Sequence, residues 1–121
     1  MSAYIDGFVI PVPKDRLEEY KKLATLSCKV WLEHGALEYT ESIAEDVKPG
    51  ERTSFPQSVD LQEGETVIFS FIKYKDRAHR DQVNAKAMAD PRLQDITPAN
   101  LPFDGKRLIW GGFETLITST P

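Results

Sequence analysis

The segment from Thr66 to Tyr74, T-V-I-F-S-F-I-K-Y, constrains the fold more than any other part of the chain. Its β-branched and aromatic residues favour a β-strand. Apolar side chains lie on both faces of that strand, with Val67, Phe69 and Phe71 on one face and Ile68, Ile72 and Tyr74 on the other. An antiparallel strand with one wet face alternates apolar and polar residues instead. We therefore expect this strand to lie in the middle of a sheet that is covered on both faces.

The other predicted elements complete the order βαββαβ. Around the strand 66–74 we expect a strand over 4–12, an amphipathic helix over 14–34, a strand over 36–44, a helix over 76–89 and a last strand over 107–118. Gly35 is a natural stop for the first helix. Right-handed crossovers place both helices on one face of an antiparallel sheet, which is the ferredoxin-like α+β fold. We expect a single domain over 1–118 and a loose tail over 119–121.

Two helices cover only one face of such a sheet. At about 25 cal/mol per Å² of apolar surface, leaving several Phe and Ile side chains in water would forfeit several kcal/mol, which is comparable with the whole stability of a domain. The simplest cover is a second copy of the chain. We therefore expect a homodimer whose two sheets pack face to face, a dimeric α+β barrel.

The charge and composition of the chain limit the kinds of partner and the cellular compartment that we expect. The formal net charge is -4, and Lys and Arg alternate with Asp and Glu without forming the basic patch that nucleic-acid binding requires. No stretch approaches the roughly 20 apolar residues of a spanning helix, and no leader pattern opens the chain. The single cysteine, Cys28, fits a reducing cytoplasm. We expect a cytoplasmic protein that binds neither nucleic acid nor membrane.

Known catalytic and metal motifs give little guidance. The chain contains no phosphate-binding glycine loop, no G-x-S-x-G nucleophile elbow and no Cys/His spacing for zinc, so we expect no metal and no cofactor. The long polar connection over 45–64 is unusual, because loops of this length commonly have a function. On the second helix we assign Arg77, Arg80, Asp81 and Asn84 to the solvent face and Ala78, Val83, Ala85 and Ala89 to the inner face.

Four residues are candidates for ligand binding. His34, in the last turn of the first helix, either caps that helix or moves a proton. His79, in the first turn of the second helix, either faces a cleft against the sheet or has a structural role. Asp6 lies on a central strand, where a carboxylate loses hydration unless it is paired, so it is either a site residue or the partner of a nearby Arg or Lys. Trp110 either stacks on a ligand or fills the core.

Several segments form a joint pattern over almost the whole chain, among them Y-I-D-G-F-V at 4–9, W-L-E-H-G-A-L-E-Y at 31–39, T-S-F-P at 53–56, M-A-D-P-R-L at 88–93 and P-F-D-G-K-R-L-I-W-G-G-F at 102–113. Together they resemble the YbaA-type bacterial family of unknown function. The resemblance implies a dimeric α+β barrel, an assembly that small monooxygenases and haem-degrading enzymes share. It implies no activity, because this assembly carries many unrelated chemistries.

The resemblance also bears on haem. In the haem-degrading relatives a helix histidine holds the iron, and His79 is its loose positional counterpart. Those enzymes also use an Asn and a Trp on their strands, whereas this chain offers Asp6 on its first strand and Phe69 or Phe71 on its third. The resemblance therefore does not extend to the strand residues of a haem site.

Three functions remain open on the sequence. The leading hypothesis is a protein that binds a small organic molecule between sheet and helices. The second is a cofactor-independent monooxygenase-like or isomerase-like enzyme, in which His79 or His34 moves a proton and Asp6 orients it. The third is a structural or regulatory protein whose 45–64 loop contacts another macromolecule. A partly polar cavity lined by Asp6 and a histidine favours ligand chemistry, and a filled core with an apolar-exposing loop favours a partner.

Overall fold

The chain folds as a four-stranded antiparallel sheet with two helices on one face, as described by a computed structural model for residues 3–121. In chain order the elements are β1 (Tyr4–Pro13), α1 (Leu17–Glu33), β2 (Glu38–Ile43), α2 (Phe55–Ser58), β3 (Glu65–Tyr74), α3 (Arg77–Met88) and β4 (Ile109–Glu114). Short 3-10 turns at Lys14–Arg16 and Pro91–Leu93 follow β1 and α3. The sheet order is β2-β3-β1-β4. The ferredoxin-like βαββαβ prediction is therefore confirmed.

The register of the two central strands decides which residues face the helices. β1 pairs with β3 along its whole length, from Tyr4 opposite Tyr74 to Pro13 opposite Glu65. Phe8 lies between Ser70 on β3 and Trp110 on β4, so these three side chains share one face. Because side chains alternate along a strand, the same face carries Asp6 on β1.

The main core lies between this face and the helices. It has two clusters of buried residues, the first made by Ile10, Val12, Tyr20 and Ile68 and the second by Ala36, Ile72, Tyr74 and Val83. Tyr20 comes from α1 and Val83 from α3, so each helix closes one end of the sheet. Gly35 adopts a φ of 114°, which is the left-handed conformation expected of a glycine just after a helix.

The opposite face of the sheet is covered in part by the chain itself. At one end, Val59 packs against Val9 and Val67, and Ala44 and Leu61 pack beside them. These covering residues belong to the 45–64 connection and its borders, which fold back onto the sheet. The expectation that a second copy covers this whole face is therefore corrected, because part of the cover is the chain itself.

The remainder of that face is open to solvent. Phe69, Ile109 and Phe113 are 47%, 44% and 63% exposed, although the register places all three on the side away from α1 and α3. The ring of Phe55, from α2, meets the edge of the Phe69 ring with centroids 5.8 Å apart, and Phe55 is itself exposed. An uncovered apolar patch therefore extends from α2 across the sheet to β4.

Two local predictions were wrong. On α3, Arg80 is buried while Ala78, Ala85 and Ala89 are exposed, which reverses the faces assigned to them. The cause is an ion pair that carries Arg80 inward. β4 ends at Glu114 and does not continue to 118, because its partner β1 begins at Tyr4 and the last ladder contact is the Thr115 N–H to the Ala3 carbonyl, 3.0 Å.

None of the helices within residues 3–121 combines the length and the apolar character needed to cross a bilayer.

Candidate functional site

A cavity of about 460 Å³ lies between the helix-facing side of the sheet and helices α1 and α3. Its floor comes from β1 and β3, and its walls come from both helices, β2, β4 and the segment before β4. Most of the wall is apolar, with six aromatic rings contributed by Phe8, Tyr20, Trp31, Tyr39, Phe103 and Trp110. The lining includes short side chains from both sides, Ala24 and Ser27 on α1 and Ser70 on β3, which leave space between helix and sheet.

Trp110 stacks on Phe8 at one side of the cavity. The two ring centroids are 6.3 Å apart and their planes differ by 20°. Trp110 remains exposed, as does Met88 at the end of α3, and both residues line the cavity. We therefore place the mouth of the cavity beside these two side chains.

Asp6 lies on the floor and is paired with Arg80. The Arg80 Nη1 donates to Asp6 Oδ1 at 2.7 Å, and the two residues are only 1% and 8% exposed. Burial raises the pKa of the Asp6 carboxyl, while the Arg80 charge opposes that rise. Asp6 therefore lines the cavity and is paired with an arginine, whereas its role as a ligand-binding residue stays a prediction.

The guanidinium of Arg80 is held from two further sides. Its carbon lies 4.9 Å from the centroid of the Tyr4 ring, within the range of a cation–π contact. Its Nε donates to Asp81 Oδ1 at 2.8 Å. The Tyr4 hydroxyl lies so close above Gly112 that a Cβ there would overlap it, so the glycine makes room for the ring that covers Arg80.

Asn84 joins α1, β3 and α3 beside the cavity. Its Oδ1 accepts from the indole N–H of Trp31 at 3.0 Å and from the hydroxyl of Tyr74 at 3.1 Å. Two donors on one oxygen fix the Trp31 ring, which forms part of the cavity wall. Burial, and secondarily the charge of Asp6, raises the pKa of the Tyr74 hydroxyl, so this hydroxyl stays a donor near neutral pH.

Glu41 on β2 is the second carboxylate of the cavity. The Tyr39 hydroxyl donates to its Oε2 at 2.7 Å, and the Tyr20 hydroxyl donates to its Oε1. Burial and then the negative charge of Glu41 raise the pKa of both tyrosines, which keeps both hydroxyls protonated. In the part of the chain that the structure describes, no Lys, Arg or His forms an ion pair with Glu41.

Of the four predicted ligand-binding residues, Asp6 and Trp110 line the cavity and the two histidines do not. The His34 ring bonds through Nε2 to Asp90 Oδ2 at 2.9 Å, at the end of α1. The Nδ1 of His79 accepts from the Lys75 backbone N–H at 3.0 Å. Both histidines therefore connect secondary-structure elements. Among the described residues, the cavity lining contains no histidine, so it does not offer the helix histidine that would hold a haem iron.

The family assignment rests on the sequence of nearly the whole chain. The profile of a family described as "Protein of unknown function (DUF1428)" matches residues 3–105. The chain belongs to the DUF1428 family. "Uncharacterized protein YbaA" of Escherichia coli (strain K12) is 43% identical over 114 residues, which are 94% of this chain and 97% of that relative. The protein of the same description from Shigella flexneri matches to the same extent. The YbaA-type resemblance is therefore confirmed.

Among solved structures, this DUF1428 chain is similar to a crystal structure described as a dimeric ferredoxin-like protein from an uncultured marine organism. The TM-score is 0.59, and the match covers 98% of this chain and 100% of the other. The two sequences are 12% identical, so the similarity supports the fold and no particular site chemistry.

Sequence reasoning missed Glu41, although a signal for it was present. On β2 the apolar side chains of Leu37, Tyr39 and Ile43 alternate along the chain and therefore share one face of the strand. Glu41 is the charged residue on that same face. Asp6 is likewise a charged residue on an otherwise apolar face of β1, and for that reason the sequence indicated it as a candidate. Each of these two strands thus has one carboxylate on its apolar face, and the two carboxylates line the same cavity. Asn84 gave no comparable signal, because polar residues are common on helices.

Proposed function

We propose that this DUF1428 protein binds a small organic molecule in the cavity between its sheet and helices α1 and α3. The observation that carries the proposal is a cavity of about 460 Å³ with six aromatic rings and two carboxylates in its lining. Ligand sites commonly have volumes of about 300–1,000 Å³ and apolar walls with a few polar groups that orient the ligand. The side chains here are held by hydrogen bonds before any ligand arrives, which lowers the ordering cost of binding.

We also propose that the protein works as a homodimer. The patch of Phe69, Ile109 and Phe113 faces away from both helices and is largely exposed. Beyond β4, Leu116 and Ile117 are also exposed. Contiguous apolar surface of this kind is uncommon on monomers and marks interaction sites. A second copy fits it best, because the similar solved structure is described as a dimeric protein of the same fold.

The alternative functions have weaker support. The enzyme hypothesis gave the proton transfer to His79 or His34, and neither histidine lines the cavity. The interaction hypothesis used the 45–64 loop, which packs Val59 against its own sheet. Phe55 and Val47 of that loop remain exposed, so a contact there would involve the outer side of the loop only.

Two measurements test ligand binding. The first is mass spectrometry of small molecules extracted from natively purified protein. The second is titration with small aromatic compounds while tryptophan fluorescence is recorded, because Trp31 and Trp110 are the two tryptophans of the chain and both line the cavity. We expect a retained compound, or a saturable fluorescence change with part of the compound panel. The proposal would be refuted if the purified protein retains no compound and no compound of the panel binds saturably.

A matched pair of variants tests the location. Ala24→Phe fills the cavity from α1, whereas Ala85→Phe places the same ring on the exposed side of α3. We expect Ala24→Phe to abolish binding and Ala85→Phe to keep it. Undiminished binding by a folded Ala24→Phe protein would place the ligand outside this cavity.

A further inference from the structure

We infer that the ligand carries a positively charged nitrogen and that Glu41 receives it. This inference rests on the proposed ligand-binding function and names the chemical class of the ligand, a small amine with an apolar, preferably aromatic, body. It follows from the charges in the cavity, the geometry of Glu41 and the nature of the walls.

The charges of the cavity do not balance. Its lining contains two carboxylates, Asp6 and Glu41, and none of the described residues in that lining is Lys, Arg or His. Arg80 reaches Asp6 and compensates it at 2.7 Å. Among the described residues, the Glu41 carboxylate accepts side-chain hydrogen bonds from the hydroxyls of Tyr20 and Tyr39 alone. The cavity therefore carries one carboxylate whose countercharge the described part of the chain does not supply.

The geometry of Glu41 leaves room for a third partner. Each tyrosine donates to a different carboxylate oxygen, which fixes the plane of the group. Every carboxylate oxygen accepts two hydrogen bonds, so each oxygen retains one acceptor position. Neutral donors compensate a partly buried charge less well than an ion partner does. An ammonium group placed at Glu41 would supply both the missing donor and the missing charge.

The walls favour the same ligand class. The faces of aromatic rings attract cations, and the attraction is stronger when the cation is desolvated. Tyr20 and Tyr39 contribute rings to the cavity beside Glu41, and Phe8, Trp31 and Trp110 supply further rings. The same features disfavour carboxylic acids and phosphate esters, because an anion here would meet a like charge and no cationic side chain among the described residues of the lining.

The test uses three compounds with one carbon skeleton and different head groups: phenethylamine, 2-phenylethanol and phenylacetate at pH 7. Binding is measured by tryptophan fluorescence and calorimetry. We expect phenethylamine to bind at least about tenfold more tightly than the alcohol, and phenylacetate to bind most weakly, because only the amine is positively charged at this pH. This comparison uses the unmodified protein and needs no variant to fold.

The variant test isolates Glu41. Glu41→Gln keeps the size of the side chain and removes its charge, so we expect the affinity for phenethylamine to fall about tenfold while that for 2-phenylethanol changes less than about twofold. Glu38→Gln is the matched control, because Glu38 is an exposed residue of the same strand on its other face. We expect Glu38→Gln to leave all three affinities unchanged.

The outcomes separate the two proposals. Equal binding of amine and alcohol to the unmodified protein would overturn the inference and leave the proposed ligand-binding function intact. A preference for the amine that survives in folded Glu41→Gln would also overturn it, because the charge would then be received elsewhere. Absence of binding by all three compounds, together with no retained compound in purified protein, would refute the proposed function and with it the inference.

Discussion

Single residues in this structure take their roles from partners far away in sequence. Arg80 has a charged side chain on a helix, which ordinarily indicates a solvated face. It is buried because Asp6 lies opposite it, 74 positions earlier in the chain. Neither residue is stable inside the protein alone, since an unpaired buried charge loses its hydration. The two form one structural unit, and Tyr4 covers it only because Gly112 has no side chain.

Two aspartates bond to the Arg80 guanidinium, and we expect their replacement to lower the free energy of unfolding by very different amounts. Asp6→Asn leaves the buried Arg80 without its charged partner, and we expect a loss of about 3 kcal/mol in the free energy of unfolding at pH 7. Asp81→Asn removes the other carboxylate contact of Arg80, but Asp81 is exposed, so we expect a loss below about 1 kcal/mol. Urea unfolding of both variants measures the difference. Equal losses would contradict the view that burial decides the contribution.

At the scale of elements, one carboxyl connects the ends of α1 and α3. Asp90 follows α3, accepts from the Arg92 side chain at 2.8 Å and bonds to His34 at the end of α1 at 2.9 Å. Arg92 also reaches Glu33, the last residue of α1, at 3.0 Å. The hydrogen bonds from the Arg92 side chain, from His34 and from the Arg92 backbone N–H hold the pKa of Asp90 well below its usual range.

The lowered pKa of Asp90 predicts how the free energy of unfolding changes in acid. The folded state binds a proton at Asp90 less readily than the unfolded state, so this contribution is present above the unfolded pKa of about 3.9 and is lost as the pH falls below it. We expect Asp90→Asn to be less stable than the unmodified protein at pH 7 and the gap to narrow towards pH 3. Urea midpoints across this range measure the gap, with the exposed loop variant Asp46→Asn as control. A gap that widens in acid would contradict the prediction.

The 45–64 connection is a second element whose contribution is measurable. Val59 is buried between this segment and the sheet, in contact with Val9 and Val67. Val59→Ala leaves a cavity there, and we expect a loss of about 1–2 kcal/mol in the free energy of unfolding. Val47→Ala removes the same atoms at an exposed position of the same segment and should cost less than about 0.5 kcal/mol. Similar losses for the two variants would show that the segment does not pack as described.

The sequence predicted the helices and strands better than it predicted which side of an element a given residue takes, and the reason is physical. Two-sided apolar patterns identified β3 as central, and helical periodicity identified α1, because both signals lie within one segment. The inward position of Arg80, the self-cover by Val59 and the early end of β4 depend on contacts between distant segments. The same holds for the site: Asp6 stood out within its own strand, whereas the Asn84 contacts join α3 to Trp31 and Tyr74. Local patterns do not contain such pairings.

At the scale of the whole molecule, the two faces of the sheet present different surfaces. The helix face contains the cavity, and the opposite face presents an apolar patch that the chain covers only in part. Because the sheet lies between them, a change on the outer face leaves the cavity lining untouched. Association and ligand binding should therefore be separable by mutation.

The homodimer prediction is tested by charge placed on either face. Phe113 is 63% exposed in the outer patch, so an aspartate there disturbs no core of the single chain, whereas in a dimer that buries the patch it loses apolar contact and its charge loses hydration. We expect the unmodified protein to sediment at twice the chain mass at micromolar concentration and Phe113→Asp to sediment as a folded monomer. Met88→Asp is the control, because Met88 is as exposed but lies on the helix side, and it should remain dimeric. An unmodified protein that sediments at the monomer mass would refute the dimer, and a dimeric Phe113→Asp would move the interface away from this patch.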